Sequence, residues 1–288
     1  MQIVSDRGAD LSPEQLEKLE ISFAPLRVTL DGISYTSGID LQPAEFYQLL
    51  DNTDSFPTTS QPAAGDFVEL YRNLARTDPD ILSIHISSGL SGTISSARTA
   101  VSMVPEANVT IVDTLTLSVP EGWIVQAAAL ALKAGWSMER IQALIEKIKE
   151  QSNGIFTLST LKYLVHGGRI SHMKGLIASL LNIKPIIGIE KVNGTYVTHG
   201  QEITLKRAIS KMVDVVAELY PQGKLLRVQP IHGFNMEGVD YMCRLLKERL
   251  TVHLEPITYV APVLGAHTGA GLVGMAVAPM ELFAELID

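Results

Sequence analysis

A loop rich in serine, threonine and glycine lies between a predicted buried strand and a predicted helix. Residues 80–86 have the apolar pattern of a strand, and Ser87-Ser88-Gly89-Leu90-Ser91-Gly92-Thr93 follows directly, before a helical pattern over residues 94–104. The first turn of a helix carries unpaired backbone N–H groups and a partial positive charge. Glycines let a ligand approach the backbone, and hydroxyls add hydrogen-bond donors. The loop therefore predicts a site for a small anion such as a carboxylate or a phosphate.

A second cluster of hydroxyl side chains precedes another predicted helix. It reads Thr58-Thr59-Ser60-Gln61-Pro62. The two clusters together predict two loops that close on one anionic head group. Serine and threonine are also common helix caps and turn residues, so a structural role for either cluster remains open at this point.

Composition limits the classes of function. The chain has 288 residues, of which 46% are hydrophobic and 19% charged, and its net charge is −8. An acidic chain without basic clusters does not favour nucleic acid as a partner. The single cysteine, Cys243, excludes an internal disulfide and a cysteine-based zinc site, and its helical context predicts core packing. The strand-like start and the lack of long apolar runs predict a cytoplasmic protein with no membrane-spanning segment.

Strands and helices alternate along the chain, which predicts an α/β fold. In the first half we predict strands at residues 2–5, 23–30, 33–36, 81–86 and 109–112, and helices at 12–19, 43–50, 65–76, 94–104, 120–134 and 138–151. In the second half we predict strands at 154–160, 185–190, 195–199, 225–231, 253–260 and 272–278, and helices at 176–181, 204–219 and 236–250. Asp31-Gly32 and Asn193-Gly194 each indicate a tight hairpin turn. Residues 123–132 are apolar on almost every side, which is typical of a buried helix.

Several ordered motifs resemble the DegV family of bacterial fatty-acid-binding proteins, and the likeness covers nearly the whole chain. The motifs are Asp6…Ala9-Asp10-Leu11, Thr59-Ser60-Gln61-Pro62, the loop 87–93, Gly168-Arg169-Ile170-Ser171, Lys184-Pro185-Ile186 and Gly265-Ala266-His267-Thr268-Gly269. The resemblance implies a Rossmann-like parallel-sheet domain at residues 1–154, a mixed α/β domain at 155–288, and a lipid between them. It also implies a lipid-binding protein rather than an enzyme.

The resemblance further implies residue roles. A long-chain fatty acid of the palmitate, stearate or oleate class would be the bound ligand, with no other cofactor and no metal. The expected carboxylate-binding residues are Thr59, Ser60, Ser91, Gly92, His267 and Thr268. Arg169 would belong to an exposed rim that faces a partner, a fatty acid kinase subunit to which the protein presents its lipid. Leu176, Ile177 and Leu180 are expected to line an apolar tunnel for the acyl chain.

The chain departs from the family pattern at three places. The first motif reads Asp6-Arg7-Gly8, where the family usually carries hydroxyl side chains after the aspartate. The last motif continues as Gly269-Ala270-Gly271 instead of Gly-Pro-Gly. Ile203 stands where relatives that serve the kinase carry an arginine. These departures make lipid binding the better supported expectation and kinase partnership the weaker one.

Two other interpretations of the motifs remain open on sequence alone, and two more are disfavoured. Ser91, Asp113 and His267 occur in the order of an α/β-hydrolase triad, but the loop lacks the second glycine of Gly-x-Ser-x-Gly. The loop would also suit a phosphate-binding module without a lipid. The scattered histidines have no metal-ligand spacing, and no Gly-x-Gly-x-x-Gly follows a strand, so a metal enzyme and a dinucleotide site are the least favoured.

Overall fold

The computed structural model describes residues 1–17, 19–170 and 183–286. Its strands are β1 (Gln2–Asp6), β2 (Ile21–Ala24), β3 (Arg27–Leu30), β4 (Ile33–Thr36), β5 (Thr58–Ser60), β6 (Asp80–His85), β7 (Asn108–Asp113), β8 (Asn153–Thr157), β9 (Lys184–Ile189), β10 (Tyr196–Glu202), β11 (Leu226–His232), β12 (Val252–Leu254), β13 (Thr258–Tyr259) and β14 (Val273–Pro279). Its α-helices are α1 (Pro13–Leu16), α2 (Pro43–Asp51), α3 (Ala64–Ala75), α4 (Thr93–Val101), α5 (Ser118–Lys133), α6 (Met138–Gln151), α7 (Lys162–His166), α8 (Leu205–Leu219), α9 (Met236–Arg249) and α10 (Pro262–Thr268). A 3₁₀ turn spans Met280–Leu286.

The first half contains a parallel four-stranded sheet in the order β2-β1-β6-β7. Alternate side chains of its strands point to opposite faces. Val4 and Ile81 join a cluster with residues of α3 and α4. Ile3 and Leu82 join a cluster with α5 on the other face. The predicted parallel-sheet class for this half is confirmed, and the hydroxyl loop follows β6 at the carboxyl edge of the sheet.

The predicted strand over residues 23–30 is wrong as a single element. It divides into β2 and β3, because Pro25 cannot donate a backbone hydrogen bond to a sheet and the chain turns there. β3 belongs to a separate three-stranded antiparallel sheet with β4 and β5. The Asp31-Gly32 hairpin is confirmed, with positive φ angles of 51° and 79°. The upstream hydroxyl cluster is not simply a loop, since Thr58, Thr59 and Ser60 form β5.

The second half contains a mixed sheet in the order β10-β9-β8-β14-β11-β12, with β13 also pairing with β11. The predicted strand at 253–260 is two short strands, β12 and β13, each parallel to β11. Helices α8 and α9 cover one face of the sheet. Helix α5 contacts the other face as well as the parallel sheet, which explains why its residues are apolar on nearly all sides.

Helix α10 has no counterpart in the sequence prediction. It is only seven residues long, so its apolar periodicity is too short to recognise. Although it lies late in the chain, it packs on α2 and β3 of the first half. Gly265 makes this approach possible, because a Cβ there would come within 2.5 Å of the Tyr47 hydroxyl.

Other boundaries shift by a few residues. The predicted helix at 12–19 shortens to α1, where Ser12 forms a capping box with Gln15. The helix predicted to reach residue 104 ends at Val101. Cys243 is half-buried and packs at the edge of the α8–α9 cluster. Across the described ranges, each helix is too short or too polar to cross a bilayer.

Candidate functional site

A cavity of about 270 Å³ opens between the two halves of the chain, beside the hydroxyl loop. We call it the hydroxyl cavity. The first half and the second half both contribute to its walls. Its lining residues are Leu26, Thr59, Ser60, Gln61, Ile86, Leu90, Ser91, Leu117, Arg169, Tyr196, Val263, Leu264 and His267. Two predicted hydroxyl segments, the predicted rim arginine and the predicted histidine therefore meet at one opening.

His267 lies against Thr59 inside this cavity. The Thr59 Oγ1 and His267 Nε2 atoms are 2.8 Å apart. Burial lowers the pKa of His267 to about 4, and the charges of Arg169 and His166 act in the same direction. The imidazole is thus neutral near pH 7 and can either accept from the threonine or donate to it.

Gly167 fixes where the His267 ring lies. A Cβ at position 167 would come within 2.0 Å of His267 Nδ1, a buried atom for which the described residues provide no hydrogen-bond partner. The backbone of the turn after α7 therefore packs directly on the ring. This contact holds the Nε2 edge toward Thr59 and the cavity.

Ser91 lies at the start of α4. Its Oγ is 2.8 Å from Thr93 Oγ1 and accepts a hydrogen bond from the Thr93 N–H at 3.3 Å. The Gly92 N–H donates to Gln61 Oε1 at 3.1 Å, and a Cβ on Gly92 would collide with that amide. The predicted donors Ser91 and Gly92 are therefore at the helix N-terminus, with neighbouring side chains as their present partners.

Part of the hydroxyl loop has a structural role. Ser87 Oγ donates to the Gly194 carbonyl at 2.8 Å, and Gly89 packs against the backbone of Asn193. Gly194 has a φ angle of +64°, so the predicted Asn193-Gly194 hairpin is present between β9 and β10. The loop thus docks this hairpin of the second half, and Ser91 remains as the hydroxyl that lines the cavity.

Arg169 lies at the exposed mouth of the hydroxyl cavity. Its Nη1 donates to the Gly167 carbonyl at 2.5 Å, which places the guanidinium beside the turn that supports His267. The side chain is exposed to solvent. Its position is compatible with the predicted rim, while the predicted contact with a partner stays a prediction.

A second, smaller cavity of about 30 Å³ adjoins the first. We call it the apolar cavity, because nearly all of its lining side chains are aliphatic or aromatic. Leu117, Tyr196 and Leu264 line both cavities and form their junction. The other lining residues are Ser118, Pro120, Gly154, Ile155, Phe156, Ile189, Ile231, Val260, Thr268 and Leu272.

The remaining predicted site residues are Thr268 and the tunnel residues Leu176, Ile177 and Leu180. Thr268 lines the apolar cavity, and its hydroxyl donates to the Leu264 carbonyl at 3.2 Å. Its predicted carboxylate contact stays a prediction. The predicted tunnel residues Leu176, Ile177 and Leu180 lie outside the described residues. The junction residues Leu117, Tyr196 and Leu264 were not predicted, because nothing in their local sequence distinguishes them from ordinary core positions.

Buried carboxyl groups lie behind the junction, at the end of β1 and the start of α5. Asp6 accepts hydrogen bonds from His85 Nδ1 at 3.0 Å, the Ile86 N–H at 3.0 Å and the Gly8 N–H at 2.8 Å. Burial raises the pKa of Asp10 to about 7. Burial, together with Asp6 and Asp10, raises the pKa of Glu121 well above its usual range. We call Asp6, Asp10 and Glu121 the carboxyl cluster.

The residues of the hydrolase interpretation have other partners in the structure. His267 Nε2 bonds to Thr59, and Ser91 Oγ bonds to Thr93. Asp113 Oδ1 accepts from the N–H groups of Ser88 and Leu115. These bonds do not form the relay of a nucleophile, a base and an orienting acid. Within the described ranges, no group of histidine, cysteine and carboxylate side chains has the arrangement of a metal site.

Comparisons with known proteins agree on one family. A family model described as "Uncharacterised protein, DegV family" matches residues 1–280. A DegV domain-containing protein of Staphylococcus aureus is 34% identical over 275 residues, covering 96% of this chain and 97% of that protein.

Solved structures agree with that family in fold. A DegV family protein from Thermus thermophilus, described by its fatty acid binding, has a TM-score of 0.88 and 29% identity, covering 97% of this chain and 99% of that one. DegV from Bacillus subtilis, described as a fatty acid binding protein, has a TM-score of 0.86 and 32% identity, covering 96% and 98%.

Proposed function

Because this chain belongs to the DegV family, we propose that it binds a long-chain fatty acid across the junction of the two cavities. The carboxylate would lie in the hydroxyl cavity, and the acyl chain would enter the apolar cavity. The observation that carries the proposal is the shared wall of Leu117, Tyr196 and Leu264, which joins a cavity that carries hydroxyl, imidazole and guanidinium groups to a cavity that is largely apolar. An amphiphile with one small anionic end matches this division of chemistry.

Hydrogen bonds, rather than a buried ion pair, would hold the carboxylate. Thr59 and Ser91 line the cavity with partners that are themselves hydroxyl or imidazole groups, so each can turn toward a ligand oxygen. Ser60 lines the same opening, and His267 is neutral there. Gly92 and Thr268 complete the proposed head-group set. Hydrogen bonds to an ionised acceptor offset part of the desolvation cost of the carboxylate.

The acyl chain would supply most of the affinity. Each buried methylene stabilises the complex by about 0.8 kcal/mol, so a sixteen-carbon chain contributes on the order of 10 kcal/mol before entropic losses. The two solved relatives are described as fatty-acid-binding, and we propose the palmitate, stearate or oleate class for this protein. Leu176, Ile177 and Leu180 remain proposed tunnel residues.

The proposed biological role is that of a carrier that presents its lipid to a fatty acid kinase. Its support is the exposed position of Arg169 at the mouth of the hydroxyl cavity, where a partner could reach the head group. No residue of this chain is assigned a catalytic step. We propose domains at residues 1–154 and 155–288, with the lipid between them, since both parts line each cavity.

The proposal is tested on protein purified from cells. Native mass spectrometry should show one bound fatty acid, identified after denaturation and organic extraction. Delipidated protein should bind palmitate or oleate with a micromolar or lower dissociation constant. If neither an endogenous lipid nor an added one binds at that level, the proposal is wrong. Stoichiometric labelling of Ser91 by a fluorophosphonate, lost in His267→Ala, would instead favour the hydrolase interpretation.

A further inference from the structure

Asp10 connects two elements that are distant in sequence. Its Oδ2 accepts a hydrogen bond from Ser118 Oγ at 2.5 Å, and its Oδ1 accepts from the Ala261 N–H at 2.9 Å. Asp10 is 7% exposed, so neither contact competes with bulk water. Removing the carboxyl group would leave a buried hydroxyl and a partly buried N–H without these partners.

Both connected elements carry a junction residue. Ser118 directly follows Leu117, and Ala261 directly precedes α10, which carries Leu264. Leu117 and Leu264 are two of the three side chains shared by the hydroxyl cavity and the apolar cavity. The Asp10 carboxyl group therefore links the two segments that carry Leu117 and Leu264, two of the three junction residues.

The segment before α5 needs such an external contact. Leu115 and Ser118 both have positive φ angles, 51° and 60°, which are unfavourable for residues with a Cβ. Strained backbone of this kind persists only when its surroundings hold it in place. The Ser118 N–H donates to the Gly8 carbonyl at 2.8 Å, and Ser118 Oγ donates to Asp10. The loop that carries Asp10 thus restrains both the backbone and the side chain of Ser118.

Helix α10 depends on the first half for its N-terminal hydrogen bonds. Its N-cap is Ala261, which has no side-chain acceptor. The Ala261 N–H bonds to Asp10, and the Val263 N–H bonds to Ser37 Oγ at 3.3 Å. Ser37 Oγ bonds to the same helix as Asp10, whereas the Ser118 hydroxyl bonds to Asp10. Ser37 therefore provides a matched control.

We infer that Asp10 is a positioning residue that sets the spacing of Leu117 and Leu264, and so determines how closely the protein fits an acyl chain at the junction. This inference rests on the proposed function. A carboxyl group that holds both walls keeps the passage narrow. In a narrow passage, the walls pack closely against each methylene of the acyl chain that crosses it. When the two hydrogen bonds of Asp10 are lost, Leu117 and Leu264 move apart. Each methylene that crosses the junction then contributes less binding free energy.

The test is the dependence of affinity on chain length, measured with saturated acids from octanoate to stearate on delipidated protein. In the unmodified protein each added methylene should tighten binding about fourfold. In Asp10→Ala the gain should fall to about twofold for chains long enough to cross the junction. In Ser91→Ala the line should shift by the same factor at every length, because only the head group is affected.

Three further variants keep the test decisive. Asp10→Asn retains an acceptor for Ala261 and a donor for Ser118, so it should restore the fourfold gain. Ser37→Ala should leave the gain unchanged. Ser118→Ala removes one of the two hydrogen bonds of Asp10, so each added methylene should tighten binding by a factor between twofold and fourfold. This variant replaces Asp10→Ala in the test if Asp10→Ala does not fold.

The outcomes separate the two claims. If Asp10→Ala lowers affinity equally at every chain length, or if Asp10→Asn behaves like Asp10→Ala, Asp10 does not position the junction and the inference is wrong. If the unmodified protein binds no fatty acid at all, the proposed function fails and the inference fails with it.

Discussion

The hydroxyl cavity and the carboxyl cluster both carry polar groups near the same junction. Their hydrogen bonds differ in how easily a ligand could replace them. In the cavity, Thr59 bonds to His267 through one contact, and Ser91 Oγ bonds to the Thr93 hydroxyl and accepts from the Thr93 N–H. In the cluster, Asp6 is fully buried and accepts three hydrogen bonds, two from backbone N–H groups and one from His85.

This difference separates polar groups that are available to bind a ligand from polar groups that stabilise the folded protein. A buried carboxylate with all its partners inside the protein cannot serve a ligand without breaking the local backbone. The Thr59 and Ser91 hydroxyls lie at an opening and bond to a neighbouring imidazole or hydroxyl, so they can change partner at small cost. Changes in the cluster should therefore alter stability, while changes in the cavity should alter affinity.

The largest effect is expected for Asp6→Ala. The change leaves His85 and the N–H groups of Gly8 and Ile86 without their acceptor in a site closed to water. We expect the free energy of unfolding to fall by about 3–5 kcal/mol. Denaturant unfolding measures it. Asp6→Asn, which keeps one acceptor oxygen, should lose less. A loss below about 1 kcal/mol in Asp6→Ala would contradict the structural role.

The double variant Thr59→Ala with Ser91→Ala should show the reverse pattern. Each change removes a hydrogen bond to a charged acceptor, so each should weaken palmitate binding by about 1–3 kcal/mol. The free energy of unfolding should change by less than about 1 kcal/mol, since neither side chain is fully buried. Calorimetric titration and denaturant unfolding on the same sample give both values. Unchanged affinity would place the carboxylate elsewhere.

Titration should distinguish the two regions by the sign of their pH dependence. Because the pKa of Asp10 is raised from 3.8 to about 7, the folded protein holds that proton more tightly, and stability falls as pH rises from about 4 to about 7. Because the pKa of His267 is lowered from 6.5 to about 4, stability falls as pH drops from about 6.5 to about 4. Each group contributes at most about 1.4 kcal/mol per pH unit.

The measurement is the free energy of unfolding from pH 4 to 8, compared with Asp10→Asn and His267→Gln. Glu121 and Tyr47 face Asp10 and remain in both proteins, and Asp10 contributes to the raised pKa of each, so the difference between curves reports Asp10 together with its effect on these two neighbours. Asp10→Asn should remove part of the loss at the upper end, and His267→Gln part of the loss at the lower end. Curves parallel to that of the unmodified protein would refute the assigned environments.

The smallest effect on binding is expected for Arg169→Ala. The side chain is exposed, so palmitate affinity should change by less than about threefold. Its charge nevertheless helps to lower the pKa of His267, and its removal should raise that pKa toward 6.5. Histidine proton resonances followed over pH report this shift, with Arg169→Lys as the charge-preserving control. A large loss of affinity would move Arg169 from the rim into the head-group site.

Sequence alone determined the features that depend on neighbouring residues. The turns at Asp31-Gly32 and Asn193-Gly194 follow from residues that tolerate positive φ. The bounds of α6, the buried character of α5 and the loop between β6 and α4 follow from apolar periodicity and helix chemistry. The ordered motifs were enough to identify the family and, through that resemblance, the parallel-sheet class of the first half, but not the separate antiparallel sheet of β3, β4 and β5.

Only the tertiary structure decided which residues meet. Thr59 and His267 are 208 positions apart and come together because β5 pairs with β3 while α10 packs on the same sheet. In the sequence, Leu117, Tyr196 and Leu264 are indistinguishable from ordinary core residues. The folded structure brings them together at the junction of the two cavities. The sequence shows Asp10 as part of a motif. Its hydrogen bonds with Ser118 and Ala261 depend on the tertiary structure, because these residues are distant in sequence. Local sequence specifies backbone conformation, whereas a cavity is formed by packing between segments that no local pattern relates.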